Sequence, residues 1–188
     1  LVVVTGGGAE AREYRDAATE LGGSQVLRDE LGVMVTRINA HLLICALGEQ
    51  AYPAVPISTQ QIREFALSGK IVVSGGLQPA QSTVAVSALA AESVGAQKLV
   101  LATDVKGVYS KDPKKHRDAR LLEEMTFNQL EKMILAQPQL PGGYKLFDLL
   151  SVRILQRSKI PCFVVDGRVP SNVERALTGE RVGTYIKP

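Results

Sequence analysis

KLVLATDVKGVYSKDP, residues Lys98 to Pro113, is the stretch from which the fold class and the kind of site are both inferred. The apolar run Leu99 to Ala102 predicts a short strand that stops where polar residues begin. In open α/β sheets, ligands bind where strands end and loops begin. Within ten residues of this strand end lie a hydroxyl, two carboxylates and an aromatic ring, those of Thr103, Asp104, Asp112 and Tyr109. Such a pattern alone is more often an exposed polar loop, but together with two glycine loops elsewhere in the chain it favours a site for a nucleotide with its metal.

Two further apolar runs end in glycines, and both favour a phosphate site. Leu1 to Thr5 predicts a strand buried on both faces of a parallel sheet, and Gly6-Gly7-Gly8 separates it from a helix. A strand, a small-residue loop and a helix N-terminus bind phosphate through backbone N–H groups and the helix dipole. Arg12, one turn into the helix, adds a guanidinium that clamps anions. Three glycines alone are equally compatible with an ordinary turn. The run Ile71 to Gly76 repeats the pattern.

Strands alternate with helices along the chain, which predicts a three-layer αβα sandwich with a mostly parallel central sheet. Helices are predicted at about Ala9–Leu21, Leu31–Leu47, Thr59–Leu67, Val84–Val94, Thr126–Ala136, Phe147–Ser158 and Pro170–Gly179. Strands are predicted at Leu1–Thr5, Ile71–Ser74, Leu99–Ala102, Leu121–Leu122, Pro161–Val165 and Val182–Ile186, with a loop at Gln137–Tyr144. A single domain is expected, in which residues 1–96 and 97–188 form two lobes that share one sheet.

The long helix Leu31 to Leu47 is apolar on most of its faces and is therefore expected to be largely buried. Asp29, just before this helix, is expected either to cap it or to accept hydrogen bonds from a sugar. His41 and Cys45 lie four residues apart on one helix face. Two such ligands without partners seldom form a metal site, so packing is their expected role.

Composition narrows the classes of function. The chain has 22 Lys and Arg against 19 acidic residues and no basic block, which gives little support to nucleic-acid binding and suits a phosphorylated metabolite. Cys45 and Cys162 are predicted to be buried thiols of a cytosolic protein. No apolar run is judged long enough to span a membrane and no signal peptide is recognised, so a cytoplasmic location is expected. The chain opens in mid-strand, and an N-terminal element is expected upstream of Leu1.

Several motifs of other enzymes are absent. The sequence lacks the phosphate-binding motifs G-x-x-x-x-G-K-[ST] and G-x-G-x-x-G and the nucleophile elbow G-x-S-x-G. His41 and His116 are the only histidines, which disfavours a histidine-based triad or a zinc site. What remains is a phosphate-handling cleft built from backbone N–H groups, Arg12, hydroxyls and a carboxylate. Phosphoryl transfer suits such a cleft, because it needs positioning and cations, usually with Mg²⁺, more than covalent help from the protein.

Several segments together resemble the amino acid kinase superfamily, and within it the archaeal type of UMP kinase. The segments are TGGGAEAR at Thr5–Arg12, TRINA at Thr36–Ala40, LQPAQST at Leu77–Thr83, ATDVKGVYSKDP at Ala102–Pro113, DLLSVRI at Asp148–Ile154 and the closing Gly179–Ile186. The resemblance covers essentially the whole chain, and the motifs are specific in combination rather than singly.

The resemblance implies transfer of the γ-phosphate of ATP to UMP with Mg²⁺, by a homohexamer assembled from dimers. It places the UMP site at Gly7, at Asp29 beside the ribose, and along the loop Leu77, Gln78, Pro79, Ala80, Gln81, Ser82 and Thr83. It places the ATP site at Gly8, Arg12, Thr103, Asp104, Tyr109 and Asp112, with Arg12 and Asp104 as the catalytic residues. No protein ligand to a metal is assigned.

Three departures from the family pattern bear on activity. The family's first strand and its Gly/Lys phosphate clamp would precede Leu1, and loss of such a lysine costs several powers of ten in rate. Ala80 stands where relatives commonly have Gly, and Lys106 stands where V-D-G-V-Y has Asp. Two alternatives therefore stay open. One is another small-acceptor kinase of the superfamily, and the other is a non-catalytic nucleotide or oxyanion binder on the same fold.

Overall fold

The computed structural model describes residues 1–136 and 146–188, and the predicted loop Gln137–Tyr144 lies outside the described residues. The chain divides into two compact units, Leu1–Val94 and Gly95–Pro188. Both contain helices and short strands whose pairing is mainly parallel, so the α/β class predicted from the sequence is confirmed. The described strands form two hydrogen-bonded sheets, one in each unit.

In the first unit, two parallel strands and four α-helices enclose an apolar core. The elements are β1 Val2–Val4, α1 Gly8–Glu20, α2 Gln25–Leu47, α3 Thr59–Ala66, β2 Val72–Ser74 and α4 Thr83–Ser93. β1 pairs with β2 in a register that places Val2 opposite Val72. α4 consists mostly of small residues, many of them apolar, so it can be buried on several faces. The fully buried side chains of β2 and α4 include Val72, Val73, Ala85, Val86 and Ala88.

Helix α2 begins earlier than the sequence predicted. The Ser24 side chain caps it by accepting a hydrogen bond from the Leu27 backbone N–H at 3.2 Å, so the helix runs from Gln25 rather than from Leu31. Asp29 therefore lies inside the helix, and its predicted role as the cap is wrong. The prediction followed the apolar period, which starts only after the polar first turns, whereas a serine cap sets the true start.

Helix α2 is also more exposed than its apolar sequence predicted. Its buried residues are Val35, Thr36 and Ala40, whereas Met34, Ile38 and Leu42 are each more than half exposed. Burial depends on which elements cover a helix, and in this chain the covered face is narrow.

Two further expectations on this helix are wrong. His41 and Cys45 are exposed, so they do not have the packing role, and Cys45 does not have the buried position, that the sequence predicted. Among the described residues, Gln25–Gln50 is also one helix long and apolar enough to cross a membrane by length and composition alone. This finding corrects the expectation that no run reaches that length, although the core helix of a globular domain passes the same test.

The second unit is built on a four-stranded sheet with the strand order β3-β5-β6-β4. β5 pairs in parallel with β3 and antiparallel with β6, and β6 pairs in parallel with β4. The elements are β3 Leu99–Thr103, β4 Glu124–Thr126, α5 Phe127–Ala136, α6 Leu149–Arg157, β5 Cys162–Asp166, α7 Pro170–Thr178 and β6 Thr184–Lys187. β5 has a neighbour on each side and is buried along its whole length, which confirms the predicted burial of Cys162.

Local sequence signals set the ends of two helices in this unit. Thr126 and Gln129 form the predicted capping box before α5. The Gln129 N–H donates to Thr126 Oγ1 at 3.2 Å, and the Thr126 N–H donates to Gln129 Oε1 at 2.8 Å. Pro170 opens α7, and Gly179 closes it in the left-handed conformation with φ of 93°, as predicted.

The strand predicted at Leu121–Leu122 is not formed. Leu121 makes only an isolated bridge with Tyr109, and the strand of this region, β4, starts at Glu124. The Leu122 backbone N–H donates to the Val108 carbonyl at 2.9 Å. The segment therefore pairs with the loop after β3 instead of joining the sheet.

Candidate functional site

The first unit contains a cavity of about 450 Å³, and three separate segments of the chain line it. Small-molecule sites typically measure about 300–1,000 Å³, so a mononucleotide-sized ligand suits it. The lining residues are Gly7, Ala11, Arg15, Asp29, Gly32, Val33, Thr36, Gly76 and Gln78 to Thr83.

The turn from β1 into α1 borders this cavity at Gly7. A Cβ at Gly7 would collide with the Ala11 methyl group. Gly8 has φ of 67°, a backbone conformation that residues with a side chain rarely adopt. No side chain caps α1, so the N–H groups of its first turn have no partner within the helix and carry the positive end of its dipole. An anion is the ligand that such a helix end favours.

Thr36 joins the end of β2 to α2 and forms part of the cavity wall. Its Oγ1 donates to the Val33 carbonyl at 2.6 Å and accepts from the Gly76 backbone N–H at 2.6 Å. The glycines allow this close approach, because a Cβ at Gly75 would lie 2.7 Å from the Arg37 backbone nitrogen. The second glycine pair therefore serves the packing of β2 against α2.

The segment Thr36–Ala40 holds both glycine loops. Arg37 Nε donates to the Gly76 carbonyl at 3.0 Å, and its Nη2 donates to the Leu77 carbonyl at 2.9 Å. Asn39 Nδ2 donates to the Gly6 carbonyl at 2.7 Å. Because Arg37 and Asn39 lie within one turn of the same helix, they fix the two loops relative to each other.

The loop Gln78 to Thr83 lines the cavity in a strained conformation. Ala80 has φ of 62°, which costs a non-glycine residue roughly 1 kcal/mol or more. The Oε1 atom of Gln81 is buried and has no hydrogen-bond partner in the described part of the chain. Ser82 fixes the end of the loop, since its hydroxyl accepts the Ala85 N–H at 3.0 Å and caps α4.

Arg15 and Asp29 place opposite charges at the cavity. Arg15 Nη2 lies 3.8 Å from Asp29 Oδ1, and Gln25 Nε2 donates to the same oxygen at 3.1 Å. The Asp29 side chain is 22% exposed, so its oxygens are accessible to the hydroxyl groups of a ligand. This position fits the sugar-binding alternative that the sequence left open for Asp29.

Most of the predicted acceptor-site residues lie together, although not all of them do. Those that line the cavity are Gly7, Asp29, Gln78, Pro79, Ala80, Gln81, Ser82 and Thr83. The exception is Leu77, whose carbonyl accepts a hydrogen bond from Arg37. Gly8 and Arg12 of α1, which were predicted for the ATP site, do not line the cavity.

Sequence reasoning did not assign Arg15 or Thr36 to the site. Arg15 carried a signal, because it lies about one helical turn beyond Arg12 on the helix that follows the first glycine loop. A sequence signal was also present at Thr36, which belongs to the segment TRINA that resembles the superfamily. Contact with the cavity is a tertiary property that neither signal specified.

The predicted ATP-site residues of the second unit lie at the end of β3 and in the loop that follows. Thr103 is the last residue of β3, and the next residue, Asp104, forms an ion pair with Lys114. The hydrogen bond from Lys114 lowers the pKa of the Asp104 carboxyl. Asp112 Oδ1 accepts the Lys114 backbone N–H at 2.9 Å, so its carboxylate stabilises the loop. Tyr109 is half-buried in the isolated bridge described above.

Comparison with known proteins identifies the family. The model described as "Amino acid kinase family" matches residues 1–166. The chain belongs to the amino acid kinase family. It is 48% identical over 187 residues to the uridylate kinase of Methanoculleus marisnigri, a match that covers 99% of this chain and 80% of that protein. It is 46% identical to the uridylate kinase of Hyperthermus butylicus, over 99% of this chain and 82% of that protein.

Solved structures confirm the predicted fold. The crystal structure of uridylate kinase from Archaeoglobus fulgidus matches with a TM-score of 0.88 and 39% identity, covering 98% of this chain and 83% of that one. The structure of UMP kinase from Bacillus anthracis matches with a TM-score of 0.82 at 23% identity, covering 98% of this chain and 78% of that one, and so shares the fold.

Proposed function

We propose that this chain is a nucleoside monophosphate kinase that transfers the γ-phosphate of ATP to UMP, giving UDP and ADP in pyrimidine nucleotide biosynthesis. The observation that carries the proposal is the 48% identity to a uridylate kinase over 99% of this chain. The cavity supports it, because most residues of the predicted acceptor site line it. We place the enzyme in the cytoplasm.

UMP is the proposed ligand of this cavity. Its phosphate suits the uncapped N-terminus of α1 at Gly7, where backbone N–H groups and the helix dipole favour an anion. Its ribose hydroxyls would donate to the Asp29 carboxylate. The loop Leu77 to Thr83 would enclose the uracil and part of the phosphate, and its unpaired acceptor at Gln81 gives it a polar group to offer a ligand.

ATP is the proposed ligand of the strand end in the second unit, at Thr103, Asp104, Tyr109 and Asp112, with Gly8 and Arg12 at its phosphates. Phosphoryl transfer needs an aligned acceptor oxygen and positive charge on the equatorial oxygens. Arg12 supplies one such charge. We assign Asp104 an orienting role, since the hydrogen bond from Lys114 lowers the pKa of its carboxyl and so makes it a weaker proton acceptor.

Mg²⁺ is proposed as the metal of the reaction, and it would neutralise phosphate charge when bound. Mg²⁺ is usually held by substrate phosphates, water and one or two carboxylates. The Asp104 side chain is 60% exposed at a strand end and fits that role. Among residues 1–136 and 146–188, no group of three or more His, Cys, Asp or Glu side chains is arranged to hold a metal.

The test is an ADP-release assay on the full-length protein with UMP, CMP and acetylglutamate as separate acceptors. We expect turnover with UMP at a kcat/KM well above that with the other two. Preference for acetylglutamate or CMP would instead support another small-acceptor kinase. Calorimetry separates the remaining alternative, since UMP and ATP binding without turnover would identify a non-catalytic nucleotide binder.

We further propose a homohexamer built from dimers. The exposed apolar side chains of α2, among them Met34, Ile38 and Leu42, support assembly, because contiguous apolar surface marks contact sites. Sedimentation velocity on the full-length protein tests the proposal. A single species with six times the monomer mass is expected, and a monomer at micromolar concentration would contradict it.

A further inference from the structure

Asp166 and Arg168 lie at the end of β5, beside the end of β3 where ATP is proposed to bind. Asp166 is the last residue of β5 and lies opposite Thr103, the last residue of the parallel strand β3. The Gly167 backbone N–H donates to the Thr103 carbonyl at 2.8 Å. The carboxyl ends of two neighbouring parallel strands therefore meet here, which is where open α/β sheets bind ligands.

The Asp166 carboxylate holds the Arg168 guanidinium in one orientation. Arg168 Nε donates to Oδ1 at 2.8 Å, Nη2 donates to Oδ2 at 2.7 Å, and the Arg168 backbone N–H donates to Oδ1 at 3.1 Å. The Asp166 side chain is 11% exposed, whereas that of Arg168 is 67% exposed. Within the described parts of the chain, Arg168 Nη1 makes no hydrogen bond. One edge of the guanidinium is thus anchored on a nearly buried carboxylate while the other is open to solvent.

The charges around this pair favour an anion. Arg168 helps to lower the pKa of the Asp104 carboxyl, and Lys106 helps to lower that of Asp166, so these groups share one electrostatic environment. Lys114 pairs with Asp104 in the same region. Lys106 and Lys114 are thus two further cations in the surroundings of this pair, and the open edge of Arg168 adds hydrogen-bond donors to them.

We infer that Arg168 is a further nucleotide-binding residue, positioned by Asp166, which donates hydrogen bonds to the phosphate chain of the ATP donor. The inference rests on the proposed function, since that function supplies ATP as the ligand. A planar guanidinium with an open edge matches two phosphate oxygens at once. Anchoring on Asp166 removes rotational freedom before the ligand arrives, so little ordering is needed on binding.

Arg175 provides a matched control, because it makes the same kind of contact elsewhere in the unit. Its Nε donates to Glu180 Oε2 at 2.8 Å and its Nη2 donates to Oε1 at 2.5 Å. Its side chain is 45% exposed, and it lies in the last turn of α7 rather than at the strand ends. Replacing either arginine removes an arginine–carboxylate contact, at a carboxylate that is 11% exposed for Asp166 and 53% exposed for Glu180. Loss of a ligand contact is expected at Arg168 alone.

The experiment is calorimetry on the full-length protein and its Arg168→Gln and Arg175→Gln variants, with ATP, inorganic tripolyphosphate, adenosine and UMP as separate probes. Arg168→Gln should weaken ATP and tripolyphosphate binding about tenfold, as expected for one hydrogen bond to a charged group. Its affinities for adenosine and UMP should not change. Arg175→Gln should leave all four affinities unchanged.

Three other outcomes of these experiments would each contradict a specific claim. Equal weakening of ATP and adenosine would place Arg168 at the base or ribose and overturn the phosphate contact. Unchanged ATP affinity with a lower Tm would leave Arg168 as a turn-stabilising residue only. Wild-type protein that binds ATP but does not phosphorylate UMP would overturn the proposed function while the Arg168 comparison still stands.

Asp166→Asn tests the positioning role. It should raise KM for ATP and leave KM for UMP unchanged. The double variant Asp166→Asn/Arg168→Gln should bind ATP no more weakly than Arg168→Gln alone, because Asp166 acts through Arg168. Additive losses in the double variant would overturn this role. Asp166→Glu keeps a carboxylate and should recover part of the ATP affinity, which separates positioning from misfolding.

Discussion

The backbone N–H of Gly76 donates to Thr36 Oγ1 at 2.6 Å, and this bond joins the end of β2 to α2 in the wall of the cavity. Thr36 is 6% exposed, so water does not replace the bond when it is lost. The same hydroxyl donates to the Val33 carbonyl, which fixes its orientation. One buried side chain therefore sets the position of the loop proposed to enclose UMP.

Thr36→Val should destabilise the protein by about 1–3 kcal/mol, because valine keeps the shape but leaves the buried Gly76 N–H without a partner. UMP affinity should fall as well, since the loop loses its anchor. Urea unfolding and UMP calorimetry measure the two effects. Thr36→Ser keeps the hydroxyl and should recover most of both. If serine costs as much as valine, keeping the hydroxyl does not rescue the protein, and the role assigned to this hydrogen bond would be contradicted.

Arg12→Ala should weaken binding of UMP and ATP by about 1.5–3 kcal/mol each, as for a hydrogen bond to a charged group. Arg15→Ala, which removes a cavity-lining side chain, should weaken UMP binding and leave ATP binding unchanged. Calorimetry with each nucleotide distinguishes the two arginines. Arg63→Ala, an exposed residue of α3, is the control. Unchanged constants for Arg12→Ala would remove it from the catalytic residues.

The elements that the sequence predicted well carry their own local signals. The Thr126–Gln129 capping box, Pro170 and Gly179 each satisfy helix-end groups through neighbouring residues, so a short window of sequence determines them. Ser24 is also a local signal and sets the start of α2, but the apolar period that predicts this helix begins only at Leu31. The exposure of Ile38 was missed for a different reason, since burial depends on which other elements cover the helix.

In the candidate site, too, features set by local sequence could be predicted and features set by tertiary packing could not. The loop Gln78 to Thr83 could be predicted because its short sequence resembles a motif of a known family. Arg15 reaches the cavity only through the way α1 packs beside α2, and Arg168 reaches the end of β3 only through the pairing of β5 with β3. Such contacts join residues that are distant in sequence, and no spacing rule specifies them.

Thr83→Val should raise KM for UMP far more than KM for ATP, because Thr83 lines the cavity of the first unit and the proposed ATP residues Thr103 and Asp104 lie in the second. Steady-state kinetics with each substrate varied in turn give the ratio. Thr178→Val, at an exposed hydroxyl that ends α7, is the matched control. Parallel changes in both KM values, together with a lower Tm, would indicate a folding defect and contradict a UMP contact.

The Asp166 carboxyl makes the free energy of unfolding depend on pH in the acid range. The direction of this dependence follows from its lowered pKa. The hydrogen bond from Arg168 lowers its pKa from 3.8 to about 2. A carboxyl whose folded-state pKa is lowered binds its proton more readily when the chain is unfolded. Its contribution to stability is therefore complete above about pH 4 and is lost as the pH falls toward 2.

Asp166→Asn should consequently flatten the fall in the free energy of unfolding between about pH 4 and pH 2, since the amide does not titrate. Other paired carboxylates, such as Glu180, contribute to the slope in both proteins, so the difference between the two curves is the measured quantity. Urea midpoints at half-unit pH steps provide it. Arg168→Gln should flatten the curve to a similar extent, because the shift depends on the guanidinium. A wild-type slope in Arg168→Gln would show that the ion pair does not hold Asp166 ionised, and the orientation inferred for Arg168 would lose its support.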